Sequence, residues 1–169
     1  MNNGQILVAG IGNIFFGDDG FGVEVARHLL QSDLPDDVRV VDFGIRSYDL
    51  AYAIMEDYEA IILVDTTQQG QPPGTVYLIE PDLTQLDKLN NEVVNAHSMN
   101  PVRVLHMVQS MGGQPGRLYL VGCEPAVLET ENGYIGLSEV VKTAVPPAIK
   151  MIHSLIADIQ QKEKERRLS

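Results

Sequence analysis

The sequence predicts a three-layer, doubly wound α/β fold: a mostly parallel five-stranded sheet, one antiparallel edge strand, and helices on both faces. Two features carry that reading. Short, continuous apolar runs recur at residues 5–9, 60–65 and 117–122, the pattern of strands buried on both faces. Segments of helical period lie between such runs, so that strands and helices alternate. A third observation sets the exception to the parallel order, because one pair of strands is joined by too few residues for a crossover.

Residues 5–9 form the first strand, which runs into glycines at Gly10 and Gly12. Residues 20–31 follow as a helix, with Val23, Ala26, Leu29 and Leu30 on one apolar face. Residues 37–42 make a second strand and 48–56 a short second helix. The third strand, 60–65 (Ala-Ile-Ile-Leu-Val-Asp), completes β-α-β-α-β with right-handed crossovers. Only residues 66–74, including Pro72, Pro73 and Gly74, separate it from the fourth strand at 75–80. That strand is therefore expected to run antiparallel at a sheet edge. A polar loop spans 81–96, and a helix over 100–111 turns Val104, Leu105 and Val108 to the core. The fifth strand occupies 117–122. A final helix covers 137–164 and is expected to kink or divide at Pro146-Pro147. Residues 1–160 are read as a single domain, and 161–169 as a charged, solvated C-terminal tail.

At 169 residues and 44% hydrophobic composition, the chain is long enough to bury a proper core. A formal net charge of −11 argues against nucleic-acid and anionic-membrane partners, both of which need a basic footprint. The segment 162–167 is net basic, so the remaining body is more acidic still. Such a body suits metal ions or basic protein segments, although solubility explains it equally well. The single cysteine, Cys123, cannot form an internal disulfide, the start of the chain lacks a signal-peptide pattern, and no apolar run spans a bilayer. A cytoplasmic location follows by elimination.

In open α/β sheets ligands bind beyond the carboxyl ends of the strands, where strand order reverses. With winding 2-1-3, the loop 10–19 and the strand-end Asp65 meet there. The loop reads Gly10-Ile11-Gly12-Asn13-Ile14-Phe15-Phe16-Gly17-Asp18-Asp19-Gly20-Phe21-Gly22. Phe15 stands where a dinucleotide fingerprint needs its third glycine, and no Gly-Lys-Ser/Thr of a P-loop is present. Asp18 and Asp19 precede a helix and fit a capping role, but a cap needs one carboxylate and leaves the other for the crevice. A carboxylate at Asp65, ending an apolar strand, is costly unless solvated, paired or ligating. Asp42 ends the second strand in the same way. His97 lies in a loop at the same sheet edge, whereas His28, His106 and His153 fall within helices. Asp19, Asp65 and His97 together could hold a borderline divalent ion such as nickel or zinc with positions left open. There is no Gly-x-Ser-x-Gly elbow and no His-Glu-x-x-His helix. A phosphoacceptor domain fails as well, since Gly122-Cys123-Glu124-Pro125 stands where that fold carries a lysine.

These segments resemble the hydrogenase maturation endopeptidases. The likeness runs through Gly10-Ile11-Gly12-Asn13, Gly17-Asp18-Asp19-Gly20-Phe21-Gly22-Val23, Asp42-Phe43-Gly44, Ile62-Leu63-Val64-Asp65, His97 with Pro101-Val102-Arg103-Val104-Leu105, Leu120-Val121-Gly122 and Ile135-Gly136-Leu137-Ser138. The resemblance implies an endopeptidase that clips a C-terminal extension from the nickel-loaded precursor of a nickel-iron hydrogenase large subunit. It implies that the family's metal-contacting acids fall on Asp19 and Asp65 and its histidine on His97. Asp42 matches a supporting acid, and this set of four is the expected catalytic group. Nickel is then carried by the precursor rather than held permanently, and the family and size allow a monomer. Two other readings compete. One is a non-catalytic nickel chaperone or assembly factor, which would bind free metal tightly. The other is a cysteine hydrolase using Cys123.

Overall fold

The computed structural model describes residues 4–82, 101–113, 116–128 and 135–169. The strands are β1 (Ile6–Ile11), β2 (Val38–Gly44), β3 (Ala60–Thr66), β4 (Val76–Ile79) and β5 (Arg117–Cys123), in the sheet order β2-β1-β3-β5-β4. The helices are α1 (Phe21–Leu30), α2 (Ser47–Ile54), α3 (Pro101–Ser110) and α4 (Glu139–Leu168). β1 pairs in parallel with β2 and β3, and β3 in parallel with β5. β4 runs antiparallel to β5, with Val76 opposite Cys123 and Ile79 opposite Leu120. The short, proline-containing connector thus produces the expected antiparallel edge strand.

Alternation along each strand sorts side chains into two cores. Ile6, Val8, Ile62, Val64 and Val121 pack with Phe21, Val25 and Leu29 of α1 and with Val141, Ile152 and Ile156 of α4. Leu7, Ala9, Ile11, Ile61, Leu63 and Leu118 pack on the other face with Leu50 and Ile54 of α2 and Val104, Leu105 and Val108 of α3. Covering both faces is why β1 and β3 are apolar nearly throughout.

The structure settles how the end of the chain is built. The final helix is not divided at the prolines: α4 runs as one element of 30 residues with Pro146 and Pro147 inside it. Both prolines lie on the exposed face, as do Lys142 and Thr143, so the carbonyls that lose a partner are close to water. The stripe Val141, Ala144, Val145, Ala148, Ile152, Leu155, Ile156 and Ile159 holds the helix on the sheet past that point. The basic run after residue 160 continues α4 to Leu168, and its side chains are largely exposed, as a solvated charged segment should be. Its Arg166 reaches back to Glu59, a buried acid at the start of β3, at 3.0 Å. Among the described residues, no helix is long and apolar enough to cross a membrane.

Candidate active site

β1 lies between β2 and β3, so the chain leaves β1 at the point where strand order reverses. The loop there is wound tightly. Gly12 has φ +141°, and a Cβ on it would fall 1.8 Å from the Asp19 carbonyl oxygen. Its N–H donates to the Gly44 carbonyl at 3.0 Å, tying the loop to the end of β2. A 3₁₀ turn over Gly17–Gly20, which the sequence pattern did not signal, then carries the two aspartates.

Asp19 is nearly buried and points into the loop. The Asn13 N–H donates to its Oδ2 at 2.7 Å, and the Thr66 hydroxyl lies 3.4 Å from its Oδ1. Asp65, at the end of β3, is buried too, and its Oδ1 accepts the Thr66 N–H at 2.8 Å. Burial raises the Asp19 pKa above the usual carboxylate range, and the bonds from Asn13 and Thr66 offset only part of that. Burial drives the Asp65 pKa well up, and the neighbouring Asp19 charge raises it further. The structure therefore brings Asp19 and Asp65 together as a desolvated acid pair with few donors, an arrangement that marks functional sites and suits a cation. Thr66, which bonds to both acids, is a site residue that sequence reasoning missed; its place directly after a strand-end aspartate was the available signal.

Asp18 is not a helix cap. The N-cap of α1 is Gly20, and no side chain caps it. Asp18 is instead fully buried, and its carboxylate accepts the N–H groups of Ala126, Val127 and Ser138 together with the Ser138 hydroxyl. Glu124 has a similar anchoring role that the sequence did not signal. Its carboxylate accepts the Gln69 and Gly70 N–H groups and the Tyr77 hydroxyl, which fixes the connector that follows Asp65 and Thr66.

Asp42 lies one strand over, in register with Gly10. Its carboxylate faces Arg27 of α1 at 3.8 Å, a half-exposed pair of little energetic weight, and its carbonyl accepts a bond from Arg46. His97 falls outside the described residues. Among those described, no three His, Cys, Asp or Glu side chains converge to hold a metal.

Cys123 is fully buried and packs in the core on the α1 and α4 face. Burial, then the charges of Asp18 and Glu124, push its thiol up to about 11, the wrong direction for a nucleophile. Cys123→Ala should keep cleavage within about twofold of the native rate, because a thiol so hard to ionise supplies no reactive thiolate. A rate assay on the purified variant checks this, and loss of turnover in a folded protein would restore the cysteine hydrolase.

Comparison with known proteins gives the family. The sequence model of the hydrogenase maturation protease family matches residues 23–155, a span that takes in Asp42, Asp65 and His97 and begins just after Asp19. A homologue from Methanocaldococcus jannaschii, named among the hydrogenase maturation proteases, is 35% identical over 153 residues, covering 90% of this chain and 96% of that protein. The delta subunit of coenzyme F420 hydrogenase from Methanothermobacter thermautotrophicus is 33% identical over 153 residues, covering 88% of this chain and 92% of its own. The solved structure of the hydrogenase maturating endopeptidase HybD from E. coli superposes with a TM-score of 0.77 at 28% identity, over 91% of this chain and 93% of that one. A buried acid pair at the switch point, on a fold shared over nine-tenths of its length with a maturating endopeptidase, has one consistent explanation: this chain belongs to the hydrogenase maturation protease family.

Proposed function

We propose that the chain is the endopeptidase that removes a C-terminal extension from the precursor of a nickel-iron hydrogenase large subunit, and that its cleft reads the nickel already inserted in that substrate. The observation that carries the reading is the Asp19–Asp65 pair. Two carboxylates held together out of water, each with a raised pKa, have no cationic partner acting on them among the described residues. A substrate-borne nickel ion with open coordination positions supplies one, and the donor set fits it, since borderline divalent ions accept carboxylate and imidazole ligands. Asp19 and Asp65 would hold the ion, with His97 as the nitrogen ligand. Bound there, nickel contributes positive charge that anchors the precursor and polarises groups next to it. The chain's own contribution is to fix the acids, through Asn13 and Thr66, so that the peptide bond beside the metal is positioned for attack. Asp42 stands as the supporting acid one strand away. The work is done in the cytoplasm, by a monomer meeting its substrate transiently.

The deciding experiment incubates the protein with nickel-loaded and with nickel-free precursor and follows intact mass. The expected result is loss of a C-terminal peptide from the loaded form only, abolished by His97→Ala. Cleavage of both forms alike would remove the nickel-reading role, and cleavage of neither would remove the protease.

A further inference from the structure

We infer that Asp18 and Ser138 form a positioning clamp that sets Asp19 at its working place opposite Asp65. Four donors converge on one buried carboxylate. Asp18 Oδ2 accepts the Ala126 N–H at 2.8 Å, the Val127 N–H at 2.8 Å and the Ser138 hydroxyl at 2.9 Å, and its Oδ1 accepts the Ser138 N–H at 2.7 Å. The contact is reciprocal, because the Asp18 N–H donates to the Val127 carbonyl at 2.7 Å. These partners sit 108 to 120 residues away in sequence, so the clamp ties the loop after β1 to the segment after β5 and to the start of α4.

Ser138 shows that the arrangement serves the loop more than the helix. It occupies the N-cap position of α4, yet its side chain makes no cap bond and is spent on Asp18. In its place a buried anion from another loop lies at the N-terminus of a 30-residue helix, where the helix dipole favours it. Asp18 is one peptide unit from Asp19 within the same 3₁₀ turn, so whatever fixes the first fixes the backbone of the second. The other side of the turn is held by Asp19 itself, through the Asn13 N–H. With both ends fastened, the Asp19 carboxylate has little freedom to leave Asp65. Asp18 touches neither acid of the pair among its hydrogen bonds; it acts through Asp19.

The assignment rests on the reading of Asp19 and Asp65 as the working pair. Its test therefore combines turnover of nickel-loaded precursor with amide hydrogen exchange at Asn13, which reports the Asp19 carboxylate without any substrate. Asp18→Asn puts an NH₂ donor against a donor and removes the charge. A misplaced site costs roughly 10- to 100-fold, so kcat should fall by that factor with KM within about twofold. Exchange at Asn13 should quicken in parallel. Ser138→Ala, which removes one hydroxyl and leaves the carboxylate, should show both effects at smaller size, and Ser138→Thr should restore both.

Native kcat together with native Asn13 exchange in folded Asp18→Asn and Ser138→Ala would overturn the clamp, leaving these residues a purely structural role. If Asp18→Asn does not fold, the Ser138 pair decides alone. If the native protein fails to cleave, the protease reading falls, while Asn13 exchange still judges the clamp.

Discussion

Asp65→Asn should abolish cleavage and at the same time raise the melting temperature of the isolated protein at neutral pH. The stabilisation follows from the sign of the shift. Asp65 has a folded-state pKa well above its unfolded one, because burial and then the Asp19 charge oppose its ionisation. Between those two values the folded protein binds more protons than the unfolded chain, so stability falls as pH rises through the window and stays reduced above it. Asn carries no charge to desolvate, keeps an oxygen for the Thr66 N–H, and relieves Asp19 of its neighbour. A gain on the order of 0.5–2 kcal/mol fits the usual size of such relief at an active site. For a chain of this length that raises Tm by a few degrees, at roughly 2–4 °C per kcal/mol. The gain should shrink as pH falls below the folded pKa, since the native acid is then neutral as well. Thermal melts of both proteins across pH 4 to pH 8 check this. A variant less stable than the native protein at every pH would mean that Asp65 is held by favourable partners and is no strained member of a cation site.

That trade of stability for function also explains what the sequence could and could not disclose. Strands β1, β3 and β5 were legible because burial on both faces demands unbroken apolar runs, and β4 because nine residues with two prolines cannot cross over. The position of Asp65 was legible because an acid ending such a run has no ordinary structural use. Asp18 was misread for an equally physical reason. Locally it looks like a cap for the helix that follows, and its real partners, Ala126, Val127 and Ser138, lie more than a hundred residues on. Sequence periodicity carries no record of such contacts. The prolines of α4 misled in the opposite direction: a local rule for breaking helices was overridden by the apolar stripe that packs the helix on the sheet. Thr66 and Glu124 were missed because one hydroxyl or carboxylate beside a strand end has no pattern of its own.

Gly22→Ala should be among the most damaging single methyl additions in the chain. A Cβ built on Gly22 would lie 2.1 Å from the Val64 carbonyl oxygen, 2.4 Å from the Ile11 carbonyl oxygen and 2.8 Å from the Ile11 nitrogen. All three are backbone atoms, from two neighbouring strands, so no rotamer change can make room. Gly10 meets the same helix from below, where a Cβ would fall 2.5 Å from the Gly22 carbonyl oxygen and 2.6 Å from Ala26 Cβ. The pair of glycines lets the first turn of α1 rest directly on the ends of β1 and β3, and that seating brings the turn carrying Asp19 down to Asp65. Overpacking a rigid site costs typically 1–3 kcal/mol, and backbone on both sides places this case at or beyond the upper end. The expected Tm loss is about 6–12 °C at 3 kcal/mol. Cleavage should be depressed further than the folded fraction accounts for, because lifting α1 draws Asp19 away from its partner. Gly20→Ala is the milder comparison: its φ is −74° and its nearest contact would be Ile14 Cα at 3.2 Å, so the half-buried loop at Ile14 need give by only a few tenths of an ångström. Equal melting temperatures for the two variants would show that α1 can slide without cost, and the tight seating of the helix would then have no part in holding the acid pair together.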